Sequence, residues 1–436
     1  MQETTYSLCP VCLRRIPARR VQEGREVYLC KECPAHGPFK TVIWRGNPTM
    51  DTWMRPEENT PPRLPDVEPR LGCPYDCGLC QSHQQEACCV LLEITRRCGL
   101  GCPLCFADAG IQGGGDMTPA EFEDLLTYLL AKNSDAPFNL QLSGGEPAMH
   151  PELPLFIAQA KAAGFPHVQL NTNGLRLAYD PAFAKELAKA GLNSVFLQFD
   201  GTREDIYRIL RGKPLLKEKA AAIQNCRDAG LAVVLTMALV PGVNTDNIGE
   251  TLRYAFARMP TVRGIHFLPV AHMGRQLQSA AASERFTLPE LLRSIAVQTE
   301  FAIAIEDFLP IVSGSCFCAL HGNFLVEPSG AVTSITEPSG ACCPCKRDAI
   351  SAARTYLARR WGAVNTQGED PWDMFLRTTE EKGFSITAMA FMDAGNFDIQ
   401  RLQKCRLQVA ARDKRLIPFC AYYVTSVHGE RLYGDG

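Results

Sequence analysis

The chain has 436 residues, a formal net charge of −2 and 20 cysteines. The near-neutral charge excludes the basic field of a nucleic-acid-binding protein, and the longest apolar run, at 231–240, is too short to span a membrane. Because the first residues lack a signal-peptide pattern, we expect a cytoplasmic protein without a transmembrane segment. In such a protein, clustered cysteines bind metal more often than they form disulfides.

Residues 1–45 contain two Cys-x2-Cys pairs, Cys9 with Cys12 and Cys30 with Cys33. This spacing predicts one tetrahedral site with four thiolates, in a rubredoxin-like or zinc-ribbon-like module. Iron and zinc fit the site equally well, and we expect His36 to be a turn residue. Residues 46–88 come next, and the proline and charge content of 47–70 predicts an extended linker.

The spacing Cys-x3-Cys-x2-Cys occurs twice within forty residues. The copies are Cys73, Cys77 and Cys80, then Cys98, Cys102 and Cys105. Only the linker precedes the first copy. We expect Cys88 or Cys89 to complete its coordination, which would give a saturated cluster that transfers electrons; a zinc site is the alternative.

Residues 89–285 alternate between strand and helix patterns. Apolar segments predict strands at 89–94, 138–143, 167–171, 194–199, 232–239 and 264–269. The clearest helix begins at a capping box formed by Thr118 and Glu121. Such apolar strands indicate a parallel sheet covered by helices. Since six units are too few to close an eight-stranded barrel, we expect a partial (βα)6 TIM-like barrel with its active site at the C-terminal strand ends.

The strand–helix alternation does not continue in residues 286–436, which predicts a separate cysteine-rich domain there. It begins with a second capping box, at Thr287 and Glu290, and a hairpin is expected around 328–330. Its cysteines suffice to ligate one further cluster: Cys316, Cys318, Cys342, Cys343, Cys345, Cys405 and Cys420. Their order along the chain leaves open which of them bind.

The second triplet directly follows the first barrel strand. Three thiolates can hold three irons of a cubane cluster and leave the fourth iron open to a small molecule. The second strand ends in Gly144, Gly145 and Glu146. Here paired glycines let backbone groups approach a ligand closely, and the carboxylate can bind an ammonium group.

These features together resemble the radical S-adenosylmethionine (radical SAM) superfamily. Further matches follow the third and fourth strands, at Asn171, Asn173, Gln198 and Asp200. The resemblance implies a [4Fe-4S] cluster on the second triplet, with SAM on its open iron. Gly144, Gly145 and Glu146 would hold the amino group of SAM, and the other four residues are candidates for its ribose and carboxylate. The cleaved cofactor would supply a 5′-deoxyadenosyl radical that abstracts hydrogen from an unactivated carbon.

The N-terminal cysteine pairs, the stretch CPYDCGLC and the C-terminal IPFCAYY resemble one subgroup, that of tetraether lipid synthase and dihydropterin methyltransferase-like enzymes. This resemblance implies C–C bond formation at an sp3 carbon, as alkyl coupling or methylation, on a small-molecule or lipid substrate. It also implies one or two auxiliary clusters and a ferredoxin- or flavodoxin-type electron donor. A peptide- or protein-modifying oxidase and a non-catalytic iron–sulfur electron carrier are the alternatives.

Overall fold

The computed structural model describes residues 3–55, 59, 61–62, 68–110, 115–132, 138–276, 284–311, 314–336 and 381–433. The predicted ligands Cys342, Cys343 and Cys345 lie outside these residues. The strands form one four-stranded and one 12-stranded sheet. Within the described residues, each helix is too short or too polar to cross a bilayer.

The N-terminal module is an antiparallel sheet. Its strands, paired in chain order, are β1 (Glu3–Leu8), β2 (Arg15–Glu23), β3 (Glu26–Cys33) and β4 (Gly37–Arg45). The module packs on the C-terminal region through a buried ion pair between Arg20 and Asp398, 2.7 Å apart. The predicted linker begins with a helix, α1 (Met50–Trp53). The indole N–H of Trp53 donates to the carbonyl oxygen of Cys316 at 2.9 Å, so this buried tryptophan anchors a segment that proline content alone had marked as extended.

All six predicted barrel strands are present, parallel and in chain order. They are β5 (Cys89–Thr95), β6 (Asn139–Gly144), β7 (Val168–Thr172), β8 (Ser194–Gln198), β9 (Ala232–Leu239) and β10 (Val262–Pro269). The helices between them are α2 (Pro119–Lys132), α3 (Leu153–Ala162), α4 (Leu175–Tyr179), α5 (Pro181–Lys189), α6 (Glu204–Arg211), α7 (Leu216–Asp228) and α8 (Ile248–Phe256). A 3-10 turn at Pro147–Met149 follows β6. The partial-barrel prediction is confirmed.

Alternate residues of the strands face two different environments. Val90 and Leu92 of β5 join Phe122 and Leu125 of α2 in the main apolar core, as the period of two in a strand requires. The intervening positions face the barrel interior, which we call the lumen. Since many of these are polar, the lumen is not an ordinary hydrocarbon core.

The C-terminal region extends the barrel sheet instead of forming a separate layer. It contains α9 (Leu288–Gln298), a 3-10 turn (Ile305–Asp307), β11 (Leu309–Pro310), β12 (Ala319–Val326), β13 (Val332–Ser334), β14 (Gly383–Met389), α10 (Ile399–Leu402), β15 (Leu407–Ala410), β16 (Leu416–Pro418) and α11 (Phe419–Tyr423). The predicted hairpin is β12–β13.

Two strands of this region pair with the edges of the barrel, β14 in parallel with β10 and β15 in parallel with β5. A six-stranded partial barrel has two edges with unpaired backbone groups, and these strands satisfy them. The C-terminal region thus shares its sheet with the barrel, and its division into a separate domain stays a prediction. Residues 390–406, which we call the seam segment, connect the two edges and cross the open side of the barrel.

Candidate active site and metal centres

The second triplet, which we call the β5 cysteine loop (Cys98, Cys102 and Cys105), leaves the C-terminal end of β5. The backbone N–H of Cys105 donates to the carbonyl of Arg275 at 2.9 Å, and the reverse bond has the same length. The loop is thereby fastened to the segment after β10. Cys98 and Cys102 each interact electrostatically with the other cysteines of the loop, and burial raises the pKa of both thiols. The three thiols of the predicted cluster site are thus brought together.

The paired glycines at the end of β6 have a structural reason. The N–H of Gly145 donates to the carbonyl of Thr95, and the N–H of Glu146 to that of Arg97, both at 2.8 Å. A Cβ on Gly144 or Gly145 would overlap the backbone at these carbonyls. The glycines therefore let β6 approach the start of the β5 cysteine loop, whereas the sequence alone suggested an approach to a ligand.

Glu146 is buried beside that loop. Its carboxylate accepts hydrogen bonds from the hydroxyl of Thr172 at 2.6 Å, the N–H of Asn173 at 2.7 Å and the N–H of Ala148 at 3.0 Å. Burial nevertheless raises the pKa of Glu146. An ammonium group placed against this carboxylate would relieve part of the desolvation cost of its charge.

Asp200 has a partner that the sequence did not indicate. Its two oxygens accept hydrogen bonds from the guanidinium of Arg211 at 2.7 and 2.6 Å, and both side chains are buried. Arg211 also donates to the carbonyl of Leu104 at 3.2 Å and interacts with Cys102. Asp200 thus orients a buried cation on the β5 cysteine loop; its predicted contact with a ribose stays a prediction.

Lys219, which the sequence analysis missed, is a second fully buried cation at this site. Its ammonium donates to the carbonyl of Asn173 at 2.5 Å and to the amide oxygen of Gln198 at 3.3 Å. Burial lowers the pKa of Lys219 to about 8. A sequence signal existed, since Lys219 takes the position on α7 that continues the buried face of Ala222, Ile223 and Cys226. Two of the predicted cofactor residues are therefore tied together by one lysine.

A row of amides crosses the lumen below this site. The amide N–H of Gln169 donates to Asn171 at 2.6 Å, Asn171 donates to Gln141 at 3.2 Å, and Gln141 donates to the thiol sulfur of Cys89 at 2.9 Å. On the other wall, the ring of His266 is 2.7 Å from the hydroxyl of Thr387. The lumen therefore offers hydrogen-bond donors and acceptors to a polar ligand.

The first triplet, the linker cysteine loop (Cys73, Cys77 and Cys80), lines a pocket closed by the C-terminal region. The Cys73 thiol interacts with both of the other thiols. His83, Leu402 and Pro418 also line this pocket. Cys88 and Cys89 do not line it: the backbone N–H of Cys88 donates to Arg406, and Cys89 is the first residue of β5.

The N-terminal module gathers a different ligand set from the one expected. The group consists of Cys9, Cys12, Cys33 and His36, whose ligand atoms all lie within 4.8 Å of one another. Across the described residues, it is the one group of three or more His, Cys, Asp or Glu side chains that close together. Cys30 is not in this group, because β3 includes both Cys30 and Cys33, and residues three apart in a strand point to opposite faces. Three cysteines and a histidine are a known zinc ligand set.

Of the predicted C-terminal ligands, three meet at the seam segment. Cys405 interacts electrostatically with Cys420 and Cys318. The guanidinium of Arg401 donates to the sulfur of Cys318 at 3.3 and 3.2 Å, and the N–H of Met392 donates to that of Cys420 at 3.3 Å. Cys316 is buried two residues from Cys318. Donors to sulfur of this kind stabilise thiolate ligands.

Comparison with known proteins agrees with this architecture. Residues 92–255 match the radical SAM superfamily, and residues 1–45 match the HMPTM N-terminal zinc ribbon domain. The chain is 32% identical to the 7,8-dihydro-6-hydroxymethylpterin dimethyltransferase of Methanocaldococcus jannaschii, over 97% of this chain and 93% of that protein. It is 28% identical to a GTP 3′,8-cyclase of Helicobacter pylori, over 62% of this chain and 84% of the relative. The crystal structure of Streptococcus suis SuiB bound to the precursor peptide SuiA covers 50% of this chain and 47% of SuiB, at 12% identity and a TM-score of 0.42.

Proposed function

Because this chain belongs to the radical SAM superfamily, in the family of the dihydropterin dimethyltransferase, we propose that it methylates an sp3 carbon of a polar, pterin-like small molecule. The reaction class, radical SAM chemistry, follows from the family. The substrate class and the formation of a C–C bond are the proposal.

The residues around the β5 cysteine loop fit a [4Fe-4S] cluster with SAM. Its three thiols can ligate three irons and leave one iron open. When bound, this pair of cofactors supplies one electron and a 5′-deoxyadenosyl radical that abstracts hydrogen from the substrate carbon. The protein's own part is to hold the amino group of SAM at Glu146, which is buried beside Cys98.

Two buried cations lie close to the thiolates and carboxylates that would hold the cluster and SAM. Arg211 interacts with Cys102, and Lys219 interacts with Glu146 and Asp200. A cluster bound through three thiolates adds negative charge at this place, and nearby cations offset part of it. Lys219 also donates hydrogen bonds to Asn173 and Gln198, and so holds these two candidate cofactor residues in position.

The observation that carries the substrate class is the amide row Gln169, Asn171 and Gln141 in the lumen. A pterin presents ring nitrogens, an exocyclic amine and a carbonyl, which pair with amide groups of this kind. These amides already pair with one another, so a polar ligand can use their remaining donors and acceptors, whereas an alkyl chain would gain no hydrogen bond from them. The lumen therefore favours the methylation alternative over lipid coupling.

The other cysteine sets are suited to electron transfer. A substrate radical must exchange an electron before the product is closed-shell. The linker cysteine loop and the set Cys318, Cys405 and Cys420 both lie against the C-terminal region that closes the barrel. We propose one auxiliary cluster at each, reduced by a ferredoxin- or flavodoxin-type donor, and a metal ion at Cys9, Cys12, Cys33 and His36.

The test uses anaerobically reconstituted enzyme with SAM, dithionite and one of two substrates, a 6-hydroxymethyl-7,8-dihydropterin deuterated at its sp3 carbons or a dialkyl glycerolipid. We expect deuterium in 5′-deoxyadenosine from the pterin alone. Parallel reactions with 13C-methyl SAM and with 13C-formaldehyde identify the one-carbon source, and the product is expected to gain one or two CH2 units.

Deuterium transfer from the lipid but not from the pterin would overturn the substrate class. Transfer from the pterin that ends in an oxidised, unmethylated product would overturn C–C bond formation and leave the hydrogen abstraction standing.

A further inference from the structure

The pocket of the linker cysteine loop contains one histidine. His83 lines it together with Cys73, Cys77 and Cys80. The side chain is buried, with 6% of the residue's surface exposed. A buried imidazole that lines a pocket together with three cysteines can serve as a metal ligand, and this inference rests on the cluster proposed for this loop.

We propose that His83 is the fourth ligand of this metal site, through Nδ1, and that the site therefore has three thiolates and one imidazole. The sequence analysis had assigned the fourth position to Cys88 or Cys89. The resulting site is saturated by protein side chains and suited to electron transfer rather than to binding a small molecule.

The tautomer of His83 follows from its hydrogen bond. Nε2 is 2.8 Å from the carbonyl oxygen of Cys405 and 3.3 Å from the amide nitrogen of Gln408, which itself donates to the same carbonyl at 2.7 Å. Since a carbonyl only accepts, Nε2 carries the hydrogen, and in the neutral ring Nδ1 keeps the lone pair. Metal-bound histidines commonly donate their other N–H to a backbone carbonyl, which fixes the ring orientation.

The same turn occurs at the N-terminal metal site of this chain. There Cys33-Pro-Ala-His36 closes with the N–H of His36 donating to the carbonyl of Cys33 at 3.2 Å. Nδ1 of His36 then lies 3.5 Å from the sulfurs of Cys9 and Cys33.

In the linker cysteine loop, Cys80-Gln-Ser-His83 closes in the same way, with the N–H of His83 donating to Cys80 at 2.9 Å. Among the described residues, a Cys-x2-His turn therefore occurs at two cysteine-lined sites.

The two sites differ in the distances between their ligand atoms. The ligand atoms of the N-terminal group lie within 4.8 Å of one another, which suits a single ion. Among the described side chains, Cys73, Cys77, Cys80 and His83 are not gathered that closely. The Cys73 thiol nevertheless interacts with both of the other thiols, so iron and zinc analysis, and not the spacing, decides which metal this loop binds.

The cysteines that had been expected here do not line the pocket. The sulfur of Cys89 accepts a hydrogen bond from Gln141 in the lumen at 2.9 Å. The backbone of Cys88 is held between strands, since its N–H donates to Arg406 at 3.1 Å and its carbonyl accepts from Asn139 at 3.2 Å. His83 precedes both residues and is already at the pocket.

An imidazole ligand changes the charge of the site. A neutral imidazole in place of a thiolate removes one negative charge, and a less negative cluster is easier to reduce. The bond to Cys405 also joins the linker cysteine loop to the residue that interacts with Cys318 and Cys420. The hydrogen bond from His83 to Cys405 thus connects the two proposed auxiliary sites directly.

The experiment is pulsed EPR on the reduced, reconstituted full chain carrying Ala at Cys98, Cys102 and Cys105, so that only auxiliary clusters contribute. We expect a hyperfine coupling to a ligand nitrogen that changes when histidine is labelled with 15N. The coupling is lost completely in His83→Cys, and the midpoint potential of that cluster falls. It is unchanged in His428→Gln, an exposed histidine that serves as the matched control.

His83→Cys retains a fourth ligand, so its iron content and thermal unfolding should match those of the parent. A nitrogen coupling that survives in His83→Cys, or iron lost on Cys88→Ala or Cys89→Ala but kept in His83→Ala, would overturn the assignment. If Ala at Cys73, Cys77 and Cys80 leaves the iron content unchanged, the cluster itself is absent from this loop, which is a failure of the proposed function rather than of the histidine assignment alone.

Discussion

The β5 cysteine loop and the linker cysteine loop have identical spacing and opposite surroundings. The first leaves a barrel strand and lies beside the buried carboxylate of Glu146 and the guanidinium of Arg211. The second precedes the barrel and is covered by a histidine and by C-terminal residues such as Leu402 and Pro418. The spacing brings three thiols together in both loops, and we propose that the neighbouring elements leave one ligand position open to SAM in the first loop and fill it in the second.

We therefore attribute the proposed reactivity to the strand end rather than to the cysteine spacing. At the β5 cysteine loop, the two glycines bring β6 against the loop backbone and place Glu146 next to Cys98. At the linker cysteine loop, Tyr433 instead accepts a hydrogen bond from the N–H of Cys77 at 2.7 Å. The β5 cysteine loop therefore lies beside a carboxylate that can bind a ligand, whereas the linker cysteine loop is hydrogen-bonded to the C-terminal region.

The strongest way to break the comparison is to delete each thiolate set in turn. Ala at Cys98, Cys102 and Cys105 should abolish reductive cleavage of SAM, because no open iron remains. Ala at Cys73, Cys77 and Cys80 should leave dithionite-driven formation of 5′-deoxyadenosine in place and abolish methylated product. Chromatographic quantification of both products checks this. Equal loss of SAM cleavage in the two triple variants would show that the loops do not have separate roles.

A second variant tests the buried pair that supports the β5 cysteine loop. Asp200→Asn leaves the Arg211 guanidinium buried without its carboxylate, and we expect the free energy of unfolding to fall by about 3–5 kcal/mol. The matched control is Asp246→Asn, whose ion pair with Arg203 is exposed and should cost at most about 1 kcal/mol. Chemical denaturation of the reconstituted proteins measures both.

If Asp200→Asn instead retains stability and loses only affinity for SAM, Asp200 contacts the cofactor directly, as the family resemblance implies, and the orienting role inferred from its contacts is wrong.

Local signals made most of the barrel predictable, and long-range pairing did not. Both capping boxes form as expected, at Thr118 with Glu121 and at Thr287 with Glu290, because each depends on residues three apart. The pairing of β14 and β15 with the barrel edges joins segments more than a hundred residues from their partners, and no periodicity records it.

The ligand sets show the same limit. Cys30 matched the expected spacing, and only the extent of β3 reveals that it points away from Cys33. The Asp200–Arg211 pair spans eleven residues across a loop and a helix, so spacing could not identify it.

The third prediction concerns the carboxylate that distinguishes the two loops. Glu146→Gln keeps the shape and removes the charge, so the charge-assisted contact with the SAM ammonium is lost. A loss of about 1.5–3 kcal/mol corresponds to roughly 10- to 100-fold weaker binding. Equilibrium binding of SAM to the reconstituted enzyme measures it, with exposed Glu152→Gln as the control. Unchanged affinity in Glu146→Gln would mean that the amino group binds elsewhere.

The smallest effect on catalysis is expected from variants of the N-terminal metal site. This site contains the Cys33–His36 turn with which we compared the turn at His83. Cys30→Ala should retain one metal ion per ribbon, whereas Cys33→Ala should lose it, because only Cys33 lies with Cys9, Cys12 and His36. Metal analysis of the full chain after dialysis against a chelator separates the two. Since β2 and β3 hold Arg20 and Lys31 on the seam segment, losing the ion should lower the melting temperature more than the rate of SAM cleavage. Metal lost equally from both variants would restore the four-thiolate site and remove the precedent for a Cys-x2-His turn in the linker cysteine loop.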